Sequence, residues 1–174
     1  MKNACCWILA AILIVCMVVT GCKKNEQPQV IKEYPIDNME GIPPQTNIIF
    51  DSSTSADTRG SLRIDAPSRM HVKLFEIDNP QVENAKLIYR AKLKTQDLDG
   101  RTFIEMRCEF AGKGEFTSRA LENYLSGTKD WTIQETPFFL KKGQKPDKIR
   151  LNLYISGKGT VWVDDVKLIK APRR

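Results

Sequence analysis

Alternation of apolar and polar residues is the feature that most constrains this chain. Runs of this kind recur from about residue 46 to residue 169 and are separated by clusters of Gly, Pro, Asn, Asp and Ser. The clearest run covers 149–155, where Ile or Leu occupies every odd position and Arg, Asn or Tyr every even one. Because successive side chains of a strand point to opposite faces, each run predicts a strand with one buried and one polar face. Helix signals are nearly absent, so the sequence predicts an all-β domain, a single β-sandwich jelly roll.

Nine strands are expected in this sandwich. Their predicted bounds are 46–51, 60–65, 70–77, 86–95, 101–111, 115–119, 131–141, 147–155 and 160–169. We also expect one short helical turn over 120–125. Glycine-containing turns mark the boundaries between strands at 99–100, 112–114, 142–143 and 157–159.

The first 21 residues are typical of a secretory signal peptide. Lys2 gives the positive start, an apolar run follows from Trp7 to Val19, and small residues stand at 20–21. The apolar run has 13 residues, fewer than the ~20 that a membrane-spanning helix needs. Removing this leader from the 174 residues leaves 153, about the length of one ordinary domain.

The residues at the end of the leader point to lipid attachment. Val19-Thr20-Gly21-Cys22 resembles the lipobox of bacterial lipoproteins, in which the cysteine receives a diacylglycerol before cleavage. The resemblance implies that Cys22 anchors the protein to the lipid bilayer, in the cell envelope outside the cytoplasmic membrane. Lysines and no aspartate follow at 23–24, which favours the outer membrane or cell surface in a host with two membranes. The alternative is a plain signal peptide in which Cys22 is incidental.

Charge is distributed unevenly between the domain and the chain ends. The chain carries a net charge of +6, to which the predicted tether 22–33 and the basic tail 171–174 contribute. The domain at 34–170 retains only about +2 with both signs interleaved, which indicates a solvated surface and no nucleic-acid partner.

Three segments carry a family resemblance that spans about residues 34–170. They are the closing segment 157–168 (GKGTVWVDDVKL), the opening segment 38–41 (NMEG) and the segment 57–64 (DTRGSLRI). They resemble jelly-roll carbohydrate-binding modules of the galactose-binding-like superfamily, including the CenC type. The segments 116–119 and 127–131 resemble uncharacterised bacterial envelope proteins of the same shape. The resemblance implies a non-catalytic binding module with carbohydrate as its partner. An alternative is a structural envelope protein that docks a protein partner through its polar sheet face or the loop 112–130.

The double aspartate in the closing segment predicts a β-bulge. Val161 and Val163 share one phase of the alternation, whereas Val166 is out of phase with them, so one extra residue lies at Asp164-Asp165. In jelly rolls of this kind the first and last strands pair, which would bring Glu40 close to this bulge. The resemblance implies a structural Ca²⁺ bound by Glu40, Asp164 and Asp165, since oxygen ligands suit this ion. The alternative is that these carboxylates cap backbone amides without metal. Asp51 and Asp57 are weaker candidates for the same shell.

A sugar site needs an aromatic platform for the ring and planar polar groups for its hydroxyls. The outward-facing residues that would supply them, if their strands lie in one sheet, are Arg90, Glu105, Arg107, Glu109, Asn152 and Tyr154. Tyr154 is the best-placed aromatic, and Trp131 and Trp162 are expected to pack instead. The alternative is that the charged residues are solvated or paired across strands.

Candidate groups for catalysis are few. His71, the one histidine, is expected to be exposed or hydrogen-bonded, and Cys108 to be a small buried residue. Glu105 and Glu109 are roughly 13 Å apart by the strand rise, farther than the paired carboxylates of glycosidases. We therefore expect no enzyme activity.

Overall fold

The computed structural model describes residues 27–57 and 59–173, and the fold over them is all-β. Nine strands follow in chain order: β1 Gln29–Tyr34, β2 Ile48–Asp51, β3 Ser61–Ala66, β4 Met70–Asp78, β5 Ala85–Phe110, β6 Gly114–Arg119, β7 Leu125–Phe139, β8 Lys148–Ile155 and β9 Lys158–Pro172. The predicted signal peptide and Cys22 lie outside the described residues. Within those residues, no helix has the length and apolar character needed to cross a membrane.

The long strand β5 belongs to both layers of the sandwich. Its first part, 85–99, pairs with β7 and β9, whereas its second part, from 102 onward, pairs with β8 and β6. We call the layer of β2, β3, β1, β9, the first part of β5 and β7 the back sheet. The layer of β4, β8, the second part of β5 and β6 is the front sheet. The predicted β-sandwich jelly roll is confirmed.

A close backbone contact marks the place where β5 passes between the two sheets. Gly100, with φ of +135°, lies against the tight turn between β8 and β9. A Cβ atom on Gly157 in that turn would lie 1.6 Å from the carbonyl oxygen of Asp99. Only a residue without a side chain fits there. Gly100 and Gly157, both predicted at turns, therefore allow β5 to contact the turn between β8 and β9.

The core lies between the two sheets and is formed by the predicted apolar faces. These faces are fully buried at Leu87, Tyr89, Ala91 and Leu93 of β5, at Ile104, Met106 and Cys108 further along it, and at Ile149, Leu151, Leu153 and Ile155 of β8. Burial raises the pKa of the Cys108 thiol to about 12. Cys108 is therefore a packing residue, as predicted.

Two segments differ from the expectation. The helical turn expected over 120–125 is wrong, because the chain makes a turn at 122–123 and then enters β7 at Leu125. Strand β1 covers the last five residues of the segment 22–33 predicted as a tether, together with Tyr34, and pairs with β9 at 166–170. Its side chains are mostly exposed, so backbone pairing and the stacking of Tyr34 on Phe75, at 3.7 Å between ring centroids, stabilise it.

Candidate functional site

The predicted bulge in β9 is present. Lys92 of β5 lies opposite Asp164, but Arg90, two residues earlier, lies opposite Lys167, three residues later in β9. The extra residue is accommodated at Asp165, whose φ is +49°. The bulge also separates the part of β9 that pairs with β3 from the part that pairs with β1.

Asp164 is fully buried at this bulge, and N–H groups surround it. Its Oδ2 atom accepts a hydrogen bond from the Ala56 amide at 2.8 Å, and its Oδ1 atom accepts one from the Asp165 amide at 2.7 Å. Burial raises the pKa of Asp164 above its ordinary value, and the nearby charges of Asp57 and Asp165 act in the same direction. The side chain therefore ties the loop before β3 to the last strand.

The other predicted metal ligands do not join Asp164 in one oxygen shell. Asp165 binds the ammonium groups of Lys92 at 3.3 Å and Lys167 at 2.9 Å. Glu40 lies in the loop after β1, on the rim of a cavity of about 390 Å³. Among residues 27–57 and 59–173, no group of three or more His, Cys, Asp or Glu is placed to hold a metal ion. This arrangement matches the amide-capping alternative, and calcium binding stays a prediction.

The carboxylates of Asp51 and Asp57 also have hydrogen-bond or ion-pair partners within the protein. The indole Nε1 of Trp162 donates to Asp51 at 2.8 Å, and hydrogen bonds to Asp51 outweigh its partial desolvation and lower its pKa. Trp162 is buried, which confirms that it packs. Asp57 accepts a hydrogen bond from the Ser55 hydroxyl at 3.0 Å and pairs with Arg59 at 3.3 Å.

Glu105 is the central residue on the outer face of the front sheet. The strand register places it between Asn152 of β8 and Arg119 of β6. Although its position in β5 points outward, its side chain is only 1% exposed, because neighbouring side chains cover it. Asn152 is buried as well, so two of the predicted ligand residues form the floor of this face.

Three side chains from three strands hold the Glu105 carboxylate. Arg107 Nε donates to Oε1 at 2.5 Å, and Arg119 Nε donates to Oε2 at 2.6 Å. His71 of β4 places its Nε2 atom 2.9 Å from Oε1. Burial opposes the charge of Glu105, but these hydrogen bonds outweigh it and lower the pKa of the carboxyl to about 2. The carboxylate is therefore ionised and held in one position.

An aromatic pair lies directly beside this network. Tyr154 of β8 stacks on Phe103 of β5, with 5.0 Å between ring centroids and an interplanar angle of 25°. The His71 ring lies 6.5 Å from the Tyr154 ring on the other side. Tyr154 is half-buried, so part of its side chain remains accessible next to the fixed polar groups.

The far end of the same face is an ion-pair cluster around Arg150. Its guanidinium contacts Glu76 at 2.9 Å, Glu109 at 2.9 Å and Glu115 at 2.7 Å. Arg107 also reaches Glu115, at 3.0 Å, and so connects the cluster to Glu105. Glu109 is therefore paired across strands, which is the alternative to a ligand role given in the sequence analysis.

Arg90 is not part of this face, which corrects the predicted ligand set. It belongs to the first part of β5 in the back sheet, where it pairs with Glu135 of β7 at 2.5 Å. The prediction placed it with Glu105 because both lie on outward positions of one strand. That strand changes sheet between them, so the two side chains lie on different layers.

Sequence reasoning missed three residues of the site. Among the predictions His71 has no named partner, Phe103 is not a candidate ligand, and Arg119 occurs only within the segment 116–119. All three lie on outward positions of strands that were predicted, so their alternation was visible in the sequence. Their proximity follows from the strand order β4, β8, β5 and β6, which alternation alone does not determine.

Comparison with solved structures finds the same architecture in carbohydrate-binding modules. A family 16 module has a TM-score of 0.54 and 14% identity, covering 76% of this chain and 92% of its own. The xylan-binding CBM22-1 domain of Paenibacillus barcinonensis Xyn10C has a TM-score of 0.61 and 8% identity, covering 84% and 97%. The module TmCBM61, solved with β-1,4-galactotriose, has a TM-score of 0.54 and 9% identity, covering 80% and 97%.

The chain has the fold of a carbohydrate-binding module. At these identities the likeness concerns the fold, and a fold hosts many functions. No protein-family model matches the sequence, and no curated protein matches it either. The function must therefore be argued from the residues of the front sheet.

Proposed function

We propose that this protein is a non-catalytic carbohydrate-binding module carried by a lipid-anchored protein of the bacterial cell envelope. One observation carries the proposal: the half-buried side chain of Tyr154 lies beside the Glu105 network, in which the carboxylate is held by Arg107 and Arg119. The solved neighbours include a xylan-binding domain and a module in complex with a galactotriose, which supports carbohydrate as the ligand class.

The chemistry of this face suits a sugar. A pyranose ring presents an apolar face that packs on an aromatic side chain, and hydroxyls at its rim that exchange hydrogen bonds with planar polar groups. Tyr154 supplies the first, and the partly exposed guanidiniums of Arg107 and Arg119 supply donors for the second. Because Glu105 fixes both guanidiniums, little side-chain entropy is lost when they bind a ligand.

Tyr154→Ala is expected to weaken glycan binding at least tenfold. The substitution removes the aromatic platform, and the contact area and ring geometry of a stacked aromatic together contribute about 1.4 kcal/mol or more, which is a factor of ten. Binding is measured by calorimetric titration of the soluble Cys22→Ser protein with xylo-oligosaccharides, galacto-oligosaccharides and peptidoglycan fragments. The matched control is Phe139→Ala, which removes an exposed aromatic ring from the back sheet and should leave binding unchanged.

Equal loss in both variants would assign the effect to general destabilisation, which thermal melts of the same samples would detect. Silence of the unmodified protein across all glycans would contradict the proposal. The titrations are run in calcium and again in EGTA, so that the predicted calcium ion is tested at the same time. If Glu40, Asp164 and Asp165 bind calcium, its addition raises the melting temperature through ligand linkage.

Lipid attachment predicts that Cys22→Ser releases the protein from membranes. Loss of the thiol removes the acceptor for the acyl chains, and two or more chains are what makes such attachment stable. Cells that express each form are fractionated, and the protein is followed in the membrane and soluble fractions. Continued detergent-dependent fractionation of Cys22→Ser would contradict the anchor. Signal-peptide cleavage that leaves Cys22 unmodified in mass spectra would do the same.

A second candidate function is docking of an envelope protein. It is favoured by three exposed apolar side chains along the segment 112–130, namely Phe116, Leu121 and Tyr124. Aromatic side chains such as Phe116 and Tyr124 are enriched at protein interfaces. Cross-linking in cells that captures a partner only when these three side chains are present would support docking, and intact glycan binding by their alanine variants would separate the two functions.

A further inference from the structure

The charges on the outer face of the front sheet are not evenly exposed. At the end near Glu76, carboxylates and cations are both partly accessible and paired with each other. We call the other end of this face the Tyr154 end; its residues are His71, Lys73, Phe103, Glu105, Arg119, Asn152 and Tyr154. Among these residues the one carboxylate is buried. Glu105 is 1% exposed there, whereas Arg119 is 47% exposed. The charged groups accessible to solvent at the Tyr154 end are therefore cations.

Arg119 has donors available for a ligand. Its Nε atom is used by Glu105, but its two terminal nitrogens make no hydrogen bond or ion pair with the residues that the structure describes. A guanidinium presents its donors in a rigid planar fork that matches a carboxylate. Since Glu105 holds the Nε edge of this fork, the opposite edge faces away from it.

A second cation lies on the other side of the same row. The strand register aligns Lys73 of β4, Asn152 of β8, Glu105 of β5 and Arg119 of β6 across the sheet. Lys73 is exposed and has no ion-pair partner among the described residues. It lines a cavity of about 340 Å³ together with Asn152 and Phe75, and the paired side chains of Glu76 and Arg150 line the same cavity.

The spacing allows one ligand to contact the aromatic ring and a cation together. Tyr154 and Arg119 are separated by two inter-strand steps and by two residues along the strands, which amounts to roughly 12 Å between their backbones. Both side chains extend from the same face, so their tips can contact opposite sides of one sugar ring.

We propose that the glycan bound at the Tyr154 end is acidic, with carboxylate groups on its sugar rings. The terminal nitrogens of Arg119 bind a ring carboxylate, the sugar packs on Tyr154, and Lys73 contacts a second carboxylate along the chain. This inference rests on the proposed carbohydrate-binding function and specifies the ligand class of the same surface.

The test compares matched glycans and matched arginines. Oligogalacturonate, galacto-oligosaccharide and heparin are titrated into the soluble Cys22→Ser protein and into Arg119→Gln, Arg119→Lys and Arg90→Gln made in the same background. We expect oligogalacturonate to bind at least tenfold more tightly than the neutral galacto-oligosaccharide. Arg119→Gln should lower oligogalacturonate affinity at least tenfold and Arg119→Lys by less, whereas neutral binding, which uses Arg119 only for hydroxyl contacts, should fall by a smaller factor. Arg90→Gln removes an arginine of similar side-chain exposure, 41% against 47% for Arg119, from the back sheet and should change nothing.

The outcomes separate this inference from the function on which it rests. Binding of the neutral glycan as tightly as the uronate, unaffected by Arg119→Gln, would overturn acidic-glycan recognition and leave a carbohydrate-binding module. Tighter binding of heparin that Arg90→Gln and Arg119→Gln reduce equally would overturn it as general charge attraction. Absence of binding by every glycan would overturn both. Arg119→Lys keeps a cation near Glu105, so loss of affinity in a lysine variant with an unchanged melting temperature cannot be ascribed to unfolding.

Discussion

Replacement of Gly157 by alanine is expected to destabilise the domain by about 3 kcal/mol or more. The added Cβ would lie 1.6 Å from the Asp99 carbonyl oxygen, so the backbone must move before the domain can close. The contact lies where β5 leaves the back sheet, and any shift there displaces the second part of β5 relative to β8. Urea unfolding followed by tryptophan fluorescence measures the loss, and a folded fraction too small to measure counts as the same result.

Gly112→Ala is the matched control for this prediction. Gly112 also has a positive φ, of +70°, but a Cβ atom there would meet nothing within 4 Å. Its cost is therefore limited to the conformational penalty of about 1–2 kcal/mol for a side chain in that region. Equal unfolding free energies for the two variants would contradict the steric argument and would mean that the corner adjusts freely.

Much of the fold was predictable because alternation reports the environment of each residue directly. The buried faces of β8 and of both parts of β5 follow from the sequence, as does the bulge at Asp164. The continuity of β5 was not predictable, because Asp99-Gly100 is typical of a turn that ends one strand and begins another. Strand β1 was missed because its side chains are mostly exposed and its pairing is by backbone, which leaves little pattern in the sequence.

The site was predictable only in part, for a related reason. Alternation correctly placed Glu105, Arg107, Asn152 and Tyr154 on one polar face. It predicted an outward Glu105 but not its burial, since the residues that cover it come from β4 and β6. Alternation also grouped Arg90 with Glu105, because both have outward positions on one strand. The strand passes from one sheet to the other between them, so they are not neighbours. Local pattern thus determines the face of a residue, whereas strand order determines its neighbours.

Glu105→Gln is expected to lower the free energy of unfolding by about 2–3 kcal/mol at neutral pH. The amide has the shape of the carboxylate, but it carries no charge for the two guanidiniums and offers a single acceptor oxygen. Arg107 and Arg119 are partly accessible to water, which keeps the loss below that of a fully enclosed pair. The matched control is Glu135→Gln on the back sheet, where the pair with Arg90 is 40% exposed and the expected change is within about 0.5 kcal/mol.

The pH dependence of this difference gives a second and independent readout. The folded-state pKa of Glu105 is about 2, below the ordinary value of 4.5 for the unfolded chain, so the unfolded state binds the proton more tightly. The contribution of Glu105 is therefore fully present above about pH 4.5 and is lost as the pH falls towards 2, by roughly 3 kcal/mol in all. Glutamine does not titrate, and the remaining carboxyls are common to both proteins, so the gap between the two stability curves should close over that window. A gap that stays constant down to pH 2 would contradict ionic stabilisation of Glu105 and would reduce its role to packing. A gap that closes as expected would establish that the charge of Glu105 holds the guanidiniums beside Tyr154.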